Sequence, residues 1–337
     1  MSQSEYFSIK FENDKLIFLD QTKLPLEEVY IETDNYERIA EAIERLEIRG
    51  APLIGIAAAY ALALALKKIT SNHKSKFDSA YKRLAKTRPT AVNLFYALDI
   101  IKKEFETLSN FENVYEILLT KAGQLHRTDE EYCLKIGRNG LAIFKQKSNV
   151  LTHCNTGKLA TGGIGTAFGI IKTAFENGLV NHVFADETRP LLQGLRLTSF
   201  ELERSGIPFI LQTDSSAAEL MKQGKVDLVI TGADRIALNG DSANKIGTYS
   251  LAILANFHKI PFYIAAPTST IDRKIATGNE IIIEYRSKTE VLSISEKFIA
   301  PEKYNTFTPA FDVTPAHLIS GIITEEGLFT FPYNFIQ

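Results

Sequence analysis

The sequence predicts an α/β protein whose C-terminal half forms an open sheet. Three observations carry that prediction. From Val150 onward, short apolar runs alternate with helical stretches, the pattern of repeated strand–helix units. The preceding part reads as a few short strands followed by amphipathic helices. Between them, residues 149–165 begin as an apolar strand over 150–153, break at Cys154-Asn155, and pass through small residues into a helix over about 165–177. A strand that enters a helix through glycines lies at the carboxyl edge of an open sheet, where ligands bind.

Residues 8–12 and 15–20 alternate in polarity about an Asn13-Asp14 turn, which predicts a hairpin, and strand character extends to residue 32. Thr33-Asp34 is placed to cap a helix running through Leu46, with Ile39, Ile43 and Leu46 as its apolar stripe. Ile48-Arg49-Gly50-Ala51-Pro52 is a tight turn that delivers an arginine to the start of the next helix. That helix, 51–66, carries no charge. It is short for a membrane span and diluted by alanine and glycine, so it is expected to be buried in protein on all sides. Residues 74–87 predict another amphipathic helix. Thr87-Arg88-Pro89-Thr90 then repeats the arginine-before-proline device ahead of a helix over 91–108. Backbone N–H groups at a helix start, with an arginine beside them, make an anion site, and two such devices point to a phosphate. Residues 112–147 read as helical, with a fresh start expected near Thr128 and 137–148 leading onward. The strands expected beyond are 150–153, 182–185, 209–212, 228–231, 262–265 and 281–284. The domains read as 1–127, a connecting helix over 128–148, and 149–337.

Composition narrows the function classes. A chain of 337 residues with 45% apolar and 23% charged residues can bury a large core and is expected to form two domains. The net charge of −2, without a lysine or arginine run, gives no footprint for nucleic acid. Two cysteines do not make a disulfide framework, which fits a reducing cytoplasm. Residues 1–7 lack the basic and apolar regions of a signal peptide.

The chemistry-bearing residues lie just past the strand ends. The first strand ends at Cys154 and the second runs into Asp186-Glu187-Thr188-Arg189-Pro190, with Gln193-Gly194 close behind. The third ends in Thr213-Asp214-Ser215-Ser216. The fourth ends in Gly232-Ala233-Asp234-Arg235, followed by Asn244-Lys245-Ile246-Gly247, and the fifth in Pro267-Thr268-Ser269-Thr270. Gly162-Gly163-Ile164-Gly165 lacks the spacing of a dinucleotide fingerprint, and no Walker loop is present. His153-Cys154 is not a metal spacing. Taken alone, Cys154 could be an inert buried thiol and Asp234 a turn cap.

Read together, Arg49-Gly50-Ala51-Pro52-Leu53-Ile54-Gly55, Arg88-Pro89-Thr90-Ala91-Val92-Asn93, His153-Cys154-Asn155-Thr156-Gly157, Asp186-Glu187-Thr188-Arg189-Pro190, Gly232-Ala233-Asp234-Arg235 and Asn244-Lys245-Ile246-Gly247 are specific. They resemble the methylthioribose-1-phosphate isomerases, aldose–ketose isomerases of methionine salvage, and the resemblance spans nearly the whole chain. It implies an N-terminal, mainly helical domain with a small β-sheet, then a Rossmann-like domain, in a homodimer. It implies a sugar phosphate substrate and neither cofactor nor metal. Residue by residue, Cys154 and Asp234 match the catalytic pair, and Arg49, Gly50, Ala51, Arg88, Gln193, Asn244 and Lys245 match substrate-binding positions. One departure falls at Gly162-Gly163, where relatives often carry a bulkier residue. The same fold family includes regulatory subunits of the eukaryotic translation-initiation nucleotide-exchange factor, which generally lack the Cys–Asp pair. Isomerases of 5-deoxyribose 1-phosphate or ribose 1,5-bisphosphate are neighbouring alternatives.

The implied substrate constrains the chemistry. Its anomeric oxygen is esterified, so the ring must be opened by protonating the ring oxygen as its bond to C1 breaks. A carboxylic acid kept protonated suits that step, which falls to Asp234. The C2 hydrogen then reaches C1 either as a proton through an enediol, with Cys154 as base, or as a hydride. Sequence leaves both routes open.

Overall fold

The computed structural model describes residues 6–294 and 297–335. The chain divides into two compact units. The first comprises the residues up to Leu134 together with Thr156–Gly165; the second comprises Lys135–Asn155 and the residues from Thr166 onward.

The first unit opens with an antiparallel sheet of β1 (Ile9–Glu12), β2 (Lys15–Leu19) and β3 (Tyr30–Thr33), in that order. The expected hairpin is present, with Asn13 and Asp14 both at positive φ in its turn. Helices α1 (Tyr36–Glu44), α2 (Ala51–Leu64), α3 (His73–Ala85) and α4 (Val92–Glu106) follow, then the long α5 (Val114–Asn139). Every residue of α2 from Leu53 to Leu64 is buried, as its uncharged sequence predicts. Gly55 lets the start of α4 approach, since a Cβ there would sit 2.6 Å from the Asn93 carbonyl oxygen. Among the described residues no helix is long and apolar enough to cross a membrane.

Four local expectations are corrected here. The α1 cap is Asn35, whose side chain accepts from the Glu37 N–H at 2.9 Å; Thr33 instead receives the Asn35 N–H. The helix stops at Glu44 because Leu46 takes a left-handed φ of 62°. Pro89 does not start α4: it lies in a turn closed by the Ala91 N–H on the Arg88 carbonyl, and the helix begins at Val92. Nor does a new helix begin near Thr128, for α5 runs through it unbroken. Asp129 spends its carboxylate on the Gly162 N–H at 2.6 Å rather than on capping.

The second unit holds β4 (Ser148–Thr152), α6 (Ala167–Glu176), β5 (Val180–Asp186), α7 (Ser199–Arg204), β6 (Phe209–Gln212), α8 (Ala217–Lys222) and β7 (Leu228–Thr231). It continues with β8 (Arg235–Ile236), β9 (Ser242–Lys245), α9 (Thr248–Phe257), β10 (Phe262–Ala265), α10 (Thr289–Leu292), β11 (Ser293–Ile294), β12 (Lys297–Phe298), β13 (Phe311–Thr314), β14 (Gly321–Thr324) and β15 (Gly327–Phe329). Seven strands form the main sheet in the order β15-β14-β10-β7-β4-β5-β6, and all pairings are parallel except β14 with β15. From β4 the chain steps outward to β5 and β6, then crosses back to β7, β10 and β14. That is the doubly wound order, and its direction reverses between β4 and β7. Residues 281–284 are not a strand of this sheet; Ile281 follows a 3₁₀ turn at Gly278–Glu280 and Ile282 is 76% exposed. The sixth parallel strand is β14, a short fully buried run that starts on a glycine and carries no alternation.

Candidate active site

Parallel sheets bind ligands outside the carboxyl ends of their strands, at the point where strand order reverses. Cys154 lies two residues past the end of β4, and Asp234 three past the end of its neighbour β7. The Thr152 hydroxyl ties the two strand ends by donating to the Ile230 carbonyl at 2.9 Å.

The turn at Cys154 is held from both sides. Its φ is 64°, a left-handed conformation that costs a non-glycine residue energy and persists only when its surroundings impose it. Its N–H donates to the Thr188 hydroxyl at 2.9 Å, and its carbonyl accepts the Thr198 hydroxyl at 2.6 Å. Asn155 is anchored on Glu201, a carboxylate with no exposure, at 2.5 Å. Thr188 itself has φ 64°, and its N–H and that of Arg189 each donate to Asp214 at 2.7 Å. Thr198 closes a π-helical turn, Gly194–Thr198, a distortion that recurs at functional sites.

Beside Cys154, the His153 ring is fully engaged. Nε2 faces the Ile246 carbonyl at 2.9 Å, which can only accept, and Nδ1 faces the Asp186 carboxylate at 2.9 Å. Burial alone would lower the pKa of this imidazole. The hydrogen bond and charge of Asp186, with Asp214 and the Ile246 carbonyl, outweigh burial and hold it above its ordinary value. The other Asp186 oxygen accepts the Gln212 amide at 2.7 Å. His153, Asp186 and Asp214 bring polar atoms within 4.8 Å of one another, and both ring nitrogens of His153 already face protein partners.

Asp234 is half-buried, and its N–H donates to the Ala243 carbonyl at 2.9 Å. This bond extends the small antiparallel sheet β13-β9-β8, so Asp234 lies across from β9, which carries Asn244 and Lys245. Both are buried: Asn244 donates to the Thr248 hydroxyl at 3.0 Å, and the Lys245 ammonium donates to the Ala310 carbonyl at 2.9 Å and lies 4.5 Å from the Phe311 ring centroid. Gln193, just before the π-helical turn, is buried with its Oε1 lacking a hydrogen-bond partner. A buried acceptor left open is costly. Cys154, Gln193, Asp234, Asn244 and Lys245 thus all belong to the second unit.

Arg49, Gly50, Ala51 and Arg88 belong to the first unit. Gly50 caps α2 at φ 97°, and a Cβ there would run into the backbone of Ala160. Pro52 occupies the first helical turn, as expected. The loop 156–165, in the same unit, is secured by the Gln21 amide on the Leu159 carbonyl at 2.7 Å and the Asp129 carboxylate on the Gly162 N–H. Gly162 and Gly163 leave no room for a side chain as the loop is packed here. A Cβ on Gly162 would lie 2.6 Å from the His126 ring, and one on Gly163 would lie 2.9 Å from Cys133. Sequence reasoning had flagged Asp186, Thr188 and Asp214 only as polar strand ends; their grip on His153 and Cys154 depends on contacts remote in sequence.

With this geometry in view, the comparisons with known proteins are direct. A family model described as "Initiation factor 2 subunit family" matches residues 47–331. A methylthioribose-1-phosphate isomerase of Caldicellulosiruptor saccharolyticus is 52% identical over 329 residues, 96% of either chain. That of Carboxydothermus hydrogenoformans is 50% identical over 328 residues, again 96% of either chain. Among solved structures, the 5-methylthioribose 1-phosphate isomerase from Pyrococcus horikoshii OT3 matches with a TM-score of 0.91 at 40% identity, covering 98% of this chain and 94% of that one. The translation initiation factor eIF-2B, subunit delta, from A. fulgidus matches with a TM-score of 0.85, also at 40% identity, covering 98% and 97%.

Proposed function

The chain belongs to the initiation factor 2 subunit family, and from that premise we propose that it is the aldose–ketose isomerase converting 5-methylthioribose 1-phosphate to 5-methylthioribulose 1-phosphate in methionine salvage. The observation that carries this reading is the 52% identity, over 96% of both chains, to a methylthioribose-1-phosphate isomerase. The placement of Cys154 and Asp234 at the reversal point of the sheet supports it.

Asp234 delivers the proton to the ring oxygen as its bond to C1 breaks. Cys154 serves the transfer from C2 to C1: as base in the enediol route, or, in the hydride route, as the group that takes the 2-hydroxyl proton or stabilises the changing charge. Arg49 and Arg88 are assigned to the phosphate dianion, with backbone N–H groups at the start of α2 beside Arg49. The open Gln193 acceptor, Asn244 and Lys245 are assigned to the sugar hydroxyls and phosphate. Neither route calls on a metal or organic cofactor. The enzyme acts in the cytoplasm, in keeping with two free cysteines, and works as a homodimer through its second unit. Phe257 and Phe307 of that unit are 77% and 78% exposed, apolar surface that a partner copy would cover.

The second reading is a regulatory protein that binds sugar phosphates without turnover, favoured by the likeness to the A. fulgidus subunit. Incubating the protein with 5-methylthioribose 1-phosphate and following the ketose product by NMR separates the two. Product formation establishes the isomerase; binding without product establishes the regulator.

A further inference from the structure

The Cys154 turn and the segment carrying Asn244 and Lys245 are joined by one side chain that neither assignment uses. The His153 ring reaches from the end of β4 to the Ile246 carbonyl, one residue past Lys245, and backs onto Asp186 at the end of β5. The approach is permitted by a glycine: Gly247 has φ 106°, and a Cβ there would stand 2.9 Å from the His153 Cε1. The far side of the same segment is gripped independently. Asp312, on β13, accepts the Gly247 N–H at 2.7 Å and the Tyr249 N–H at 3.1 Å, at the first turn of α9. Ile246 and Gly247 are therefore held between an imidazole on one side and a carboxylate on the other.

We propose that His153 is a positioning residue: a doubly donating imidazolium that sets Cys154 in register with the Asn244–Lys245 segment. The inference rests on the isomerase reading for the role of Cys154. The clamp itself does not. The Ile246 carbonyl can only accept, and Asp186 in its ionised form also accepts, so the protonated ring satisfies both, whereas a neutral ring beside an ionised Asp186 leaves one of them without a proton. The charged groups facing the ring are Asp186 from β5, Asp214 from the turn after β6 and Asp312 from β13. Losing the ring frees the Ile246 carbonyl and removes the support on one flank of Cys154, whose left-handed backbone is imposed from outside.

Two measurements test the proposal. In protein labelled with ¹⁵N-histidine, with His153→Asn used to identify the resonance, both His153 nitrogens are expected to show the imidazolium shift at pH 7. A neutral imidazole there overturns the doubly donating clamp, whatever the protein's activity. In steady-state kinetics at temperatures well below the melting point, His153→Asn is expected to lower kcat at least about tenfold while KM moves less, because misplacing a reacting group costs rate more than binding. A purely structural histidine lowers the melting temperature and leaves kcat of the folded enzyme within about twofold, and that result overturns the positioning role. If His153→Asn does not fold, Gly247→Ala pushes on the intact ring and is read in the same way. If the wild-type protein shows no turnover, the isomerase reading fails while the NMR arm still judges the clamp.

Discussion

Thr152 donates its hydroxyl to the Ile230 carbonyl across 2.9 Å, and this bond joins the two strands that lead to Cys154 and Asp234. The strands are neighbours because the chain crosses back over the sheet between them, so Cys154 and Asp234 both follow strand ends at the point where the strand order reverses. Both hydrogen-bonding groups are buried within the sheet, where solvent does not compete with the bond.

The protonation of His153 makes stability depend on pH. Its pKa is raised on folding, because the Asp186 hydrogen bond and the surrounding carboxylates outweigh the opposing effect of burial. The folded state therefore holds a proton that the unfolded chain releases near its ordinary value of about 6.5. The stabilisation is fully present below that value and is lost as pH rises through the folded pKa. Melting temperatures measured across the alkaline range are expected to fall more steeply for wild type than for His153→Asn. Parallel curves would show that the ring is not protonated in the folded protein.

Gly50→Ala tests whether the start of α2 is as tightly built as its geometry implies. Alanine at φ 97° is strained, and its Cβ would collide with the Ala160 backbone rather than with a flexible side chain. A loss of at least about 2 kcal/mol is expected from urea unfolding, the scale of one imposed backbone strain plus displacement of the loop. A change within about 0.5 kcal/mol would mean that the loop 156–165 yields freely.

The limits of the sequence are visible in particular elements. Residues 209–212, 228–231 and 262–265 were legible as strands because each is a short apolar run between turn signals. Residues 281–284 have the same local signature but lie outside the sheet, while β14 lacks that signature and lies inside it; neighbours decided both. Cys154 and Asp234 were legible because they follow strand ends, Arg49 and Arg88 because each precedes a proline ahead of a helix, and the rest because they match a known pattern. The clamp was not, since His153 meets Asp186 across 33 positions and Ile246 across 93, and no local spacing records such a pairing.

Substrate choice is expected to favour one phosphate at C1 and an apolar 5-substituent. Two arginines are assigned to a single dianion, and the sequence has no basic run for a second phosphate. Turnover of 5-methylthioribose 1-phosphate should exceed that of ribose 1,5-bisphosphate. Preference for the bisphosphate would reassign the substrate while leaving the isomerase chemistry in place.

Assembly is tested by sedimentation. A homodimer is expected at micromolar concentration, and Phe257→Glu, which places a charge on the exposed face, is expected to shift it toward monomer. A wild-type monomer would contradict the homodimer.

The reacting pair gives the sharpest test. Cys154→Ser and Asp234→Asn are each expected to remove most turnover, because serine is a far poorer acid or base at neutral pH than a thiol, and asparagine cannot deliver a proton to the ring oxygen. Positioned proton transfer contributes about 10²–10⁴-fold, so each loss should be of at least that order. The two substitutions are close in size to the originals. The Thr188 and Thr198 bonds to residue 154 use only its backbone, so the turn survives the change to serine. The Asp234 N–H bond to Ala243 is likewise a backbone bond and survives the change to asparagine. Affinity for inorganic phosphate should persist in both variants, since Arg49 and Arg88 are untouched. An inert thiol or a turn cap predicts the opposite pattern, a lowered melting temperature with the rate nearly unchanged. Rate, phosphate affinity and melting temperature measured together on each variant separate these outcomes, and near-wild-type turnover in either one removes that residue from the chemistry.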